Sequence, residues 1–137
     1  EVIGINTAKI KSAEGLGFSI PINTVKSIIE QVINEGTYKT VFIGITGVEA
    51  ELYERQFGID LQADNGVIVL GVTPDSPASK AQLQIGDIIT KIDGQDIENK
   101  NKLKKALYNY KKGDKAKLSI IRSGKEMEVE IEFSELK

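Results

Sequence analysis

A strict two-residue alternation of acidic and apolar side chains runs through residues 126–133. This is the period of a β-strand that has one face on a core and the other in water. Ser123-Gly124 is a turn signal, and the preceding run "KAKLSII" is also strand-like. The chain must therefore fold around a terminal antiparallel hairpin, in which Lys115 and Lys117 lie across from the glutamates. The apolar side chains of the alternation are Met127, Val129, Ile131 and Phe133.

Between residues 37 and 113, short strand-like runs are separated by helical patterns. "TVFIGITG" reads as one strand, and "GVIVLGVTP" is apolar enough to be a central strand buried on both faces. Ser76 and Pro77 can begin a short helix, and Asn99 can cap a longer one. The pattern predicts an α+β, mainly β, unit over 37–137: an antiparallel β-sandwich or partial barrel capped by two helices. The apolar stripe of the longer helix is Leu103, Ala106, Leu107 and Tyr110.

Residues 1–36 carry a smaller pattern of two strand-like runs and one helix. "EVIGINTAKI" and "GLGFSIPI" are extended, and "NTVKSIIEQVINEG" has helical spacing, with Asn23 or Thr24 as its cap and Gly36 as its stop. Two strands and one helix bury too little surface to offset chain entropy. We therefore expect residues 1–36 to be the end of another domain, and the chain to be a piece of a longer protein.

The 137 residues include no Cys and no His. Disulfides, thiolate chemistry, imidazole bases and nearly all transition-metal sites are thereby excluded. We expect no catalytic residue, no metal and no cofactor in this chain. The net charge of -2 comes from intermixed Lys and Glu, which gives no single-sign field for nucleic acid. No apolar run approaches the length of a membrane span, so the fragment is expected to be soluble.

Two glycine-containing segments, "GLGF" at 15–18 and "FIGI" at 42–45, are candidates for a backbone loop that binds a peptide carboxylate. The first runs into Pro21 and an unrelated helix, which favours a simple hinge. The second enters a strand that we expect at a sheet edge, beside the helix 100–111, and this is the geometry for peptide addition. The residues alone leave an alternative open: the apolar side chains of "FIGI" and of the helix stripe are explained equally well as core.

These segments together resemble a known family. "SPASKAQLQIGDIITKIDGQDI" is similar to the hallmark stretch of bacterial PDZ domains, and "FIGI" resembles the carboxylate-binding loop in the PDZ domains of HtrA/DegP-like (Deg) serine proteases. "EVIGINTAKI" and "GLGFSIPINTVKSII" resemble the segment that follows the catalytic-serine motif of those proteases. One departure is Gln82, where the family usually has Gly. Either the backbone is not left-handed there, or Gln82 tolerates strain of roughly 1 kcal/mol.

The resemblance implies a PDZ domain over 37–137, preceded over 1–36 by a two-strand and helix remnant of a trypsin-like β-barrel. The parent would be a serine endopeptidase of protein quality control and stress response, and this fragment would be inactive because the catalytic Ser motif lies upstream. Its implied partners are carboxyl-terminal or unfolded peptide segments and its own protease domain, with no nucleic acid. The parent is expected to be a homo-oligomer in the bacterial cell envelope, extracytoplasmic, with or without a membrane anchor.

The resemblance also assigns the binding site. It implies that Phe42, Ile43, Gly44 and Ile45 bind the peptide carboxylate, with converging backbone N–H groups as charge-assisted donors. Thr46 and Gly47 would pair with the added peptide strand, and Leu103 and Leu107 would form a side-chain pocket with the apolar residues of "FIGI". The rival hypotheses are an active hydrolase, a module that assembles the protease without binding free peptide, and the PDZ domain of another processing protease that binds no free peptide. The lysines of the helix are expected to be solvated rather than in contact with phosphate or a membrane surface.

Overall fold

The structure is a computed structural model that describes residues 3–9, 17–36 and 40–135. The chain divides into two compact units, residues 1–38 and residues 39–137. In the first unit, β1 (Gly4–Lys9) and β2 (Gly17–Pro21) form an antiparallel pair, and α1 (Ile22–Glu35) follows directly. This two-strand and helix arrangement agrees with the sequence pattern. Its assignment as the end of a protease domain remains a prediction.

Helix α1 begins earlier than the sequence indicated. Its N-cap is Pro21, with no side-chain cap, so the prediction of Asn23 or Thr24 in that role is wrong. Proline fixes its own φ near the helical value, and the Ile22 N–H donates to the Ile3 carbonyl oxygen at 3.0 Å, which satisfies one of the N–H groups at the start of the helix that have no partner within it. At the other end the predicted stop is confirmed, because Gly36 adopts the left-handed conformation.

The second unit contains eight strands and three helices among its described residues. The helices are α2 (Ala50–Phe57), α3 (Pro77–Lys80) and α4 (Lys100–Leu107). The strands are β3 (Val41–Phe42), β4 (Ile45–Glu49), β5 (Val67–Val72), β6 (Ile88–Ile92), β7 (Gln95–Asp96), β8 (Lys115–Arg122), β9 (Lys125–Glu132) and β10 (Ser134–Glu135). The mainly β fold with capping helices is confirmed.

All strand pairs are antiparallel, and the main sheet has the order β4-β5-β6-β8-β9, with β7 paired to β6. A separate two-stranded sheet joins β10 to β3. The predicted terminal hairpin is β8 and β9, joined by Ser123-Gly124, whose two residues both have positive φ. Such a two-residue turn matches the twist of the flanking strands and so fixes their register. Strand β4 lies at one edge of the main sheet and β9 at the other.

Strand β5, which its continuous apolar run predicted to be the central strand, is an interior strand next to the β4 edge, and β6 holds the central position of the main sheet. Val67 and Val69 lie in the main core, while Ile68 belongs to a second cluster on the opposite face, beneath α2. Burial on both faces explains why this strand lacks an alternating pattern. The main core also contains Leu103 and Ala106, so the apolar face of α4 packs on the same side of the sheet as Val67.

Two element boundaries differ from the sequence prediction. "TVFIGITG" is not one strand, because β3 pairs with β10 and β4 pairs with β5, and Ile43 and Gly44 separate them. The second difference concerns α4, which ends at Leu107 rather than 111. Beyond that residue the backbone continues as tighter turns, in which the Tyr110 N–H donates to the Leu107 carbonyl oxygen at 3.2 Å.

A partly buried ion pair fixes the loop between α3 and β6. The Asp87 side chain is 1% exposed and accepts two hydrogen bonds of 2.7 Å from the Arg122 guanidinium. It also accepts the Gln84 N–H at 2.8 Å, while Arg122 donates to the Gln82 carbonyl oxygen at 3.0 Å. Gln82 has φ of 58°, so the backbone is left-handed at this position. Of the two alternatives for Gln82, the strained one is therefore observed.

Candidate functional site

The candidate site is built around the loop Ile43–Gly44, whose carbonyl oxygens are both used inside the domain. The Ile43 oxygen accepts the Ala78 N–H of α3 at 2.8 Å, and the Gly44 oxygen accepts the Thr73 N–H at 2.8 Å. In a planar trans peptide the N–H points opposite to the C=O of the same unit, and the described chain has no cis peptide bond. The Gly44 N–H therefore points away from α3, and the Ile45 N–H points away from Thr73.

The register of β4 extends this pattern along the sheet edge. Because the Thr73 N–H bonds to Gly44, the opposed residues Ile45 and Val72 form a non-hydrogen-bonded pair, and the polar backbone groups of Ile45 face outward. The Thr46 N–H is consequently directed at β5. A bulge follows Thr46, after which Gly47 lies opposite Val69 and again presents its backbone outward. Ile45 and Gly47 thus offer an open ladder to an incoming strand.

Glycine is required at position 44 for two separate reasons. Its φ is 86°, a left-handed value that residues with a Cβ adopt at a cost. A Cβ placed there would also lie 2.1 Å from Ser76 Cβ and 2.3 Å from Ser76 Oγ. Ser76 is buried, and its Oγ accepts the Ser79 N–H at 3.2 Å as the N-cap of α3. The loop and the start of α3 therefore pack as one unit.

A groove of about 290 Å³ runs between β4 and α4. Its floor and walls are mostly apolar, with two lysines on the helix side. The residues that line it are Ile43, Ile45, Thr46, Gly47, Val67, Lys100, Leu103, Lys104 and Leu107.

The direction of α4 along this groove follows from one backbone contact. The Gly66 N–H donates to the Glu98 carbonyl oxygen at 3.3 Å, and the Gly66 oxygen accepts the Ala50 N–H, which follows the end of β4. The amino-terminal end of α4 therefore lies at the Glu49 end of the strand. The carboxyl-terminal end, with Leu107, lies toward the Ile43–Gly44 loop.

The segment after α4 is held by a short polar network. The Tyr110 hydroxyl donates to Asp93 Oδ2 at 2.7 Å, and Asp93 Oδ1 accepts the Lys117 N–H at 2.7 Å. The Lys117 backbone bond, followed by the Tyr110 bond, lowers the pKa of Asp93. Burial, with the Asp93 hydrogen bond second, raises the pKa of Tyr110. Because the Tyr110 ring also packs on Phe133 with ring centroids 4.6 Å apart, the end of α4 is fixed to the hairpin strands.

Most of the predicted site residues meet at this groove. Ile43, Ile45, Thr46, Gly47, Leu103 and Leu107 line it, and Gly44 lies in the loop at its end. Phe42 is not among the lining residues, and its backbone pairs with Ser134. Leu103 is 7% exposed and Leu107 half-buried, so each contributes both to the core and to the groove wall. The assigned binding roles remain predictions.

Sequence reasoning missed three residues that line the groove: Val67, Lys100 and Lys104. Lys100 and Lys104 share the spacing i, i+3, i+4, i+7 with Leu103 and Leu107, which is one stripe of a helix. That spacing was visible in the sequence, and it would have distinguished Lys100 and Lys104 from the lysines on the other faces of the helix. The other candidate loop, "GLGF", lies partly outside the described residues. Its last two residues begin β2.

Among the described residues, no group of three or more carboxylate side chains could hold a metal ion. None of the described helices is both long and apolar enough to cross a membrane.

Comparison with known families decides the classification of the second unit. The sequence profile of the PDZ domain matches residues 41–133, which include the loop, the open strand and the groove. The chain belongs to the PDZ domain family. Strand β4 and helix α4 are thus the edge strand and groove helix of a PDZ unit.

Relatives of the whole chain are HtrA-type serine proteases, which confirms the resemblance seen in the sequence. The periplasmic pH-dependent serine endoprotease DegQ of Escherichia coli K12 is 36% identical over 135 residues, covering 96% of this chain and 29% of DegQ. The serine protease Do-like HtrA of Bacillus subtilis 168 is 33% identical over 144 residues, covering 98% of this chain and 32% of that protein. The chain thus spans about a third of the length of these relatives.

Solved structures give the same result for the fold. The HtrA-type protease AlgW with decapeptide superimposes with a TM-score of 0.75 at 26% identity, covering 99% of this chain and 42% of AlgW. The serine endoprotease from Yersinia pestis gives a TM-score of 0.67 at 28% identity, covering all of this chain and 44% of that one. The similarity therefore extends over both units of the chain.

Proposed function

We propose that the PDZ unit binds carboxyl termini or apolar tails of unfolded proteins by β-strand addition, within an HtrA/DegP-like serine endopeptidase. Binding would tether a substrate to the protease or regulate it. The chain contains no His, so it cannot form a Ser-His-Asp triad by itself, and hydrolysis is assigned to the larger protein. Since DegQ and the Brucella DegP-like relatives are named periplasmic endoproteases, we place the parent outside the cytoplasm.

The observation that carries this proposal is the outward direction of the Gly44 and Ile45 N–H groups beside an open strand edge. Within the part of the chain that the structure describes, the N–H groups of Ile43 and Gly44 donate to no other backbone group. Converging amides of this kind satisfy a chain-terminal carboxylate through charge-assisted hydrogen bonds. A peptide that enters there would run antiparallel to β4 and bond to Ile45 and Gly47.

The groove next to β4 supports the same assignment. Its apolar walls at Ile43, Ile45, Leu103 and Leu107 suit the last side chain of the peptide. A volume of about 290 Å³ is enough for one aliphatic side chain and part of the peptide backbone. An affinity near micromolar, about -8 kcal/mol, is ordinary for one short added strand.

The test is an NMR titration of the full chain with two short peptides of one sequence ending in Val, one with a free carboxyl terminus and one amidated. The free acid should shift the amide resonances of residues 43–47 most strongly. Hydrogen bonds to a charged group contribute about 1.5–3 kcal/mol, so the amidated peptide should bind about tenfold or more weakly. Strand β9, at the other edge of the same sheet, is the internal control.

Equal affinity of the two peptides, or shifts confined to β9, would refute carboxylate capture by the loop. If neither peptide shifts residues 43–47 while sedimentation shows assembly of the chain, the module serves assembly of the protease rather than peptide binding. The AlgW structure contains a decapeptide, which makes a peptide ligand the first choice for this experiment.

A further inference from the structure

Strand β9 forms a second edge of the main sheet, on the opposite side from the groove. Arg122 and Lys125 flank a two-residue turn and therefore form a hydrogen-bonded pair, after which bonded and non-bonded pairs alternate along β8 and β9. The Phe133 N–H donates to the Asp114 carbonyl oxygen at 2.9 Å, which agrees with this alternation. The even-numbered residues of β9 consequently direct their backbone groups away from β8.

These outward-facing residues are the glutamates of β9. Within residues 40–135, the N–H groups of Glu126, Glu128 and Glu130 donate to no backbone acceptor. Nearer the end of the strand, helix α3 lines a cavity of about 420 Å³ together with Glu130 and Glu132. The open hydrogen-bonding ladder therefore covers residues 126–130, which is long enough to pair with about five residues of another strand.

The face of β9 that carries the glutamate side chains has an excess of negative charge. Lys115 Nζ lies 3.1 Å from a carboxylate oxygen of Glu130, and Lys117 Nζ lies 3.9 Å from one of Glu128. Glu126 lies across from an isoleucine and, among the described residues, has no ion pair. All these side chains are exposed, so their carboxylates remain accessible to a cation from another chain.

The opposite face of the same edge is apolar and incompletely covered. Met127 is 41% exposed and Val129 is half-buried, although the residues across from them on β8 belong to the buried core. In an antiparallel added strand, the residues across from Met127 and Val129 would form non-hydrogen-bonded pairs, with Cα atoms about 4.5 Å apart. Apolar side chains at those positions would remove this surface from water, which favours addition of the strand.

The charge pattern determines which kind of strand fits this edge. In a pair formed by two copies of β9, glutamates would lie opposite glutamates, and like charges in direct cross-strand positions are destabilising. Charged side chains on an edge also disfavour pairing with unrelated apolar strands. A strand with Lys or Arg opposite the glutamates avoids both penalties.

We propose that β9 is a second interaction surface, to which a partner protein adds an extended segment in which basic and apolar residues alternate. Basic side chains lie opposite Glu126, Glu128 and Glu130, and the apolar side chains between them cover Met127 and Val129. The alternation is the same in both chain directions, so the pattern required of the partner does not depend on its direction. The inference is independent of carboxylate capture by the loop, because it requires no free chain terminus.

The test is an NMR titration of the full chain with five-residue peptides that are acetylated and amidated, so that neither end is charged. The sequences are Lys-Val-Lys-Val-Lys, its scrambled form Lys-Lys-Lys-Val-Val, and Glu-Val-Glu-Val-Glu. The alternating Lys peptide should shift the amide resonances of residues 126–130 most strongly. Each aligned ion pair contributes roughly a 1.5- to fivefold gain in affinity, so this peptide should bind at least about threefold more tightly than the scrambled one.

The other conditions separate charge from pairing of the backbone. The Glu peptide should leave residues 126–130 unshifted. The difference between the two Lys peptides should become smaller at about 0.5 M salt, because salt screens exposed charges.

Two variants of β9 test the two components. Glu128→Pro removes an outward N–H and a carboxylate but no bond between β8 and β9, and proline is tolerated on an edge strand in this orientation. It should weaken binding of the alternating Lys peptide about tenfold. Glu126→Gln with Glu128→Gln keeps the backbone donors and should weaken binding about two- to tenfold. The matched control is Asp64→Asn with Glu98→Gln, which removes the same charge from exposed loop positions and should leave the affinity unchanged.

Equal affinity for the alternating and scrambled Lys peptides, or shifts at residues 45–47 instead of 126–130, overturns the inference. An equal loss of affinity in the control variant also overturns it, since net charge rather than the edge would then explain binding. Sedimentation that shows self-association through β9 would identify a second copy as the occupant and would likewise overturn it. None of these outcomes affects carboxylate capture, because the blocked peptides carry no free carboxyl terminus.

Discussion

Replacement of Gly44 by alanine tests the geometry on which the site depends. An alanine at φ of 86° is in left-handed space, which costs about 1–2 kcal/mol. Its Cβ would also lie 2.1 Å from Ser76 Cβ, and forcing an extra carbon into a packed site costs about 1–3 kcal/mol. We therefore expect the free energy of unfolding of the PDZ unit to fall by about 2–5 kcal/mol.

A matched variant separates the two contributions. Gly86 has φ of 94°, close to that of Gly44, but a Cβ built on it would meet nothing within 4 Å. Gly86→Ala should therefore show only the conformational part, about 1–2 kcal/mol. Adding Ser76→Gly to Gly44→Ala removes both clashing atoms and should recover most of the difference, since glycine at an N-cap costs only a few tenths of a kcal/mol.

The measurement is urea unfolding of five chains, followed by circular dichroism, with the midpoint and slope fitted separately. The chains are the wild type, Gly44→Ala, Gly86→Ala, Ser76→Gly and the Gly44→Ala, Ser76→Gly double variant. The coupling between Ser76 and Gly44 is then read from the double-mutant cycle. If Gly44→Ala and Gly86→Ala cost the same, or if the Ser76→Gly and Gly44→Ala effects simply add, the close packing of the loop on α3 plays no energetic part. The Ile43–Gly44 loop and the start of α3 would then not pack as one unit.

Two further predictions concern polar side chains that stabilise the fold around the site. Arg122→Leu leaves the buried Asp87 carboxylate without its partner, so the free energy of unfolding measured in urea should fall by about 3 kcal/mol. A loss under about 0.5 kcal/mol would contradict a stabilising role for this ion pair. The lowered pKa of Asp93, caused first by the Lys117 backbone bond and then by Tyr110, should stabilise the fold above about pH 4. That stabilisation is lost as pH falls through the lowered pKa, so Asp93→Asn should be less stable than wild type at pH 7, and the difference should narrow on acidification to pH 2. A stability difference that stays constant between these pH values would refute this.

Local sequence patterns predicted the features that depend on residues close together in the chain, such as hairpins and turns. The alternation in 126–133 predicted the terminal hairpin, and Ser123-Gly124 predicted its two-residue turn, whose residues both have positive φ in the structure. The same alternation could not show how far the core extends. Met127 has the periodicity of a buried residue but is 41% exposed, whereas Phe133 is 2% exposed.

Pairing between distant segments was beyond the sequence patterns. Nothing in "TVFIGITG" shows that Phe42 pairs with Ser134 while Ile45 pairs with Val72, since each partner is fixed by the tertiary fold. The outward direction of the Ile45 backbone follows from that register and was equally hidden. Gln82 is a third example, because only the hydrogen bond from Arg122 to its carbonyl oxygen shows what holds this residue in a left-handed conformation.

The pairing of β3 with β10 has a consequence for protein engineering. Phe42, just before the Ile43–Gly44 loop, pairs with Ser134, about ninety positions away in sequence. The carbonyl oxygens of the loop accept hydrogen bonds from the N–H groups of Thr73 and Ala78. A transplanted tetrapeptide would bring none of these hydrogen-bond partners, so we expect that the proposed binding site cannot be moved to another scaffold as a short segment. Conversely, we expect substitutions around Ser134 to alter the proposed peptide affinity of the groove, because Ser134 pairs with the residue just before the loop.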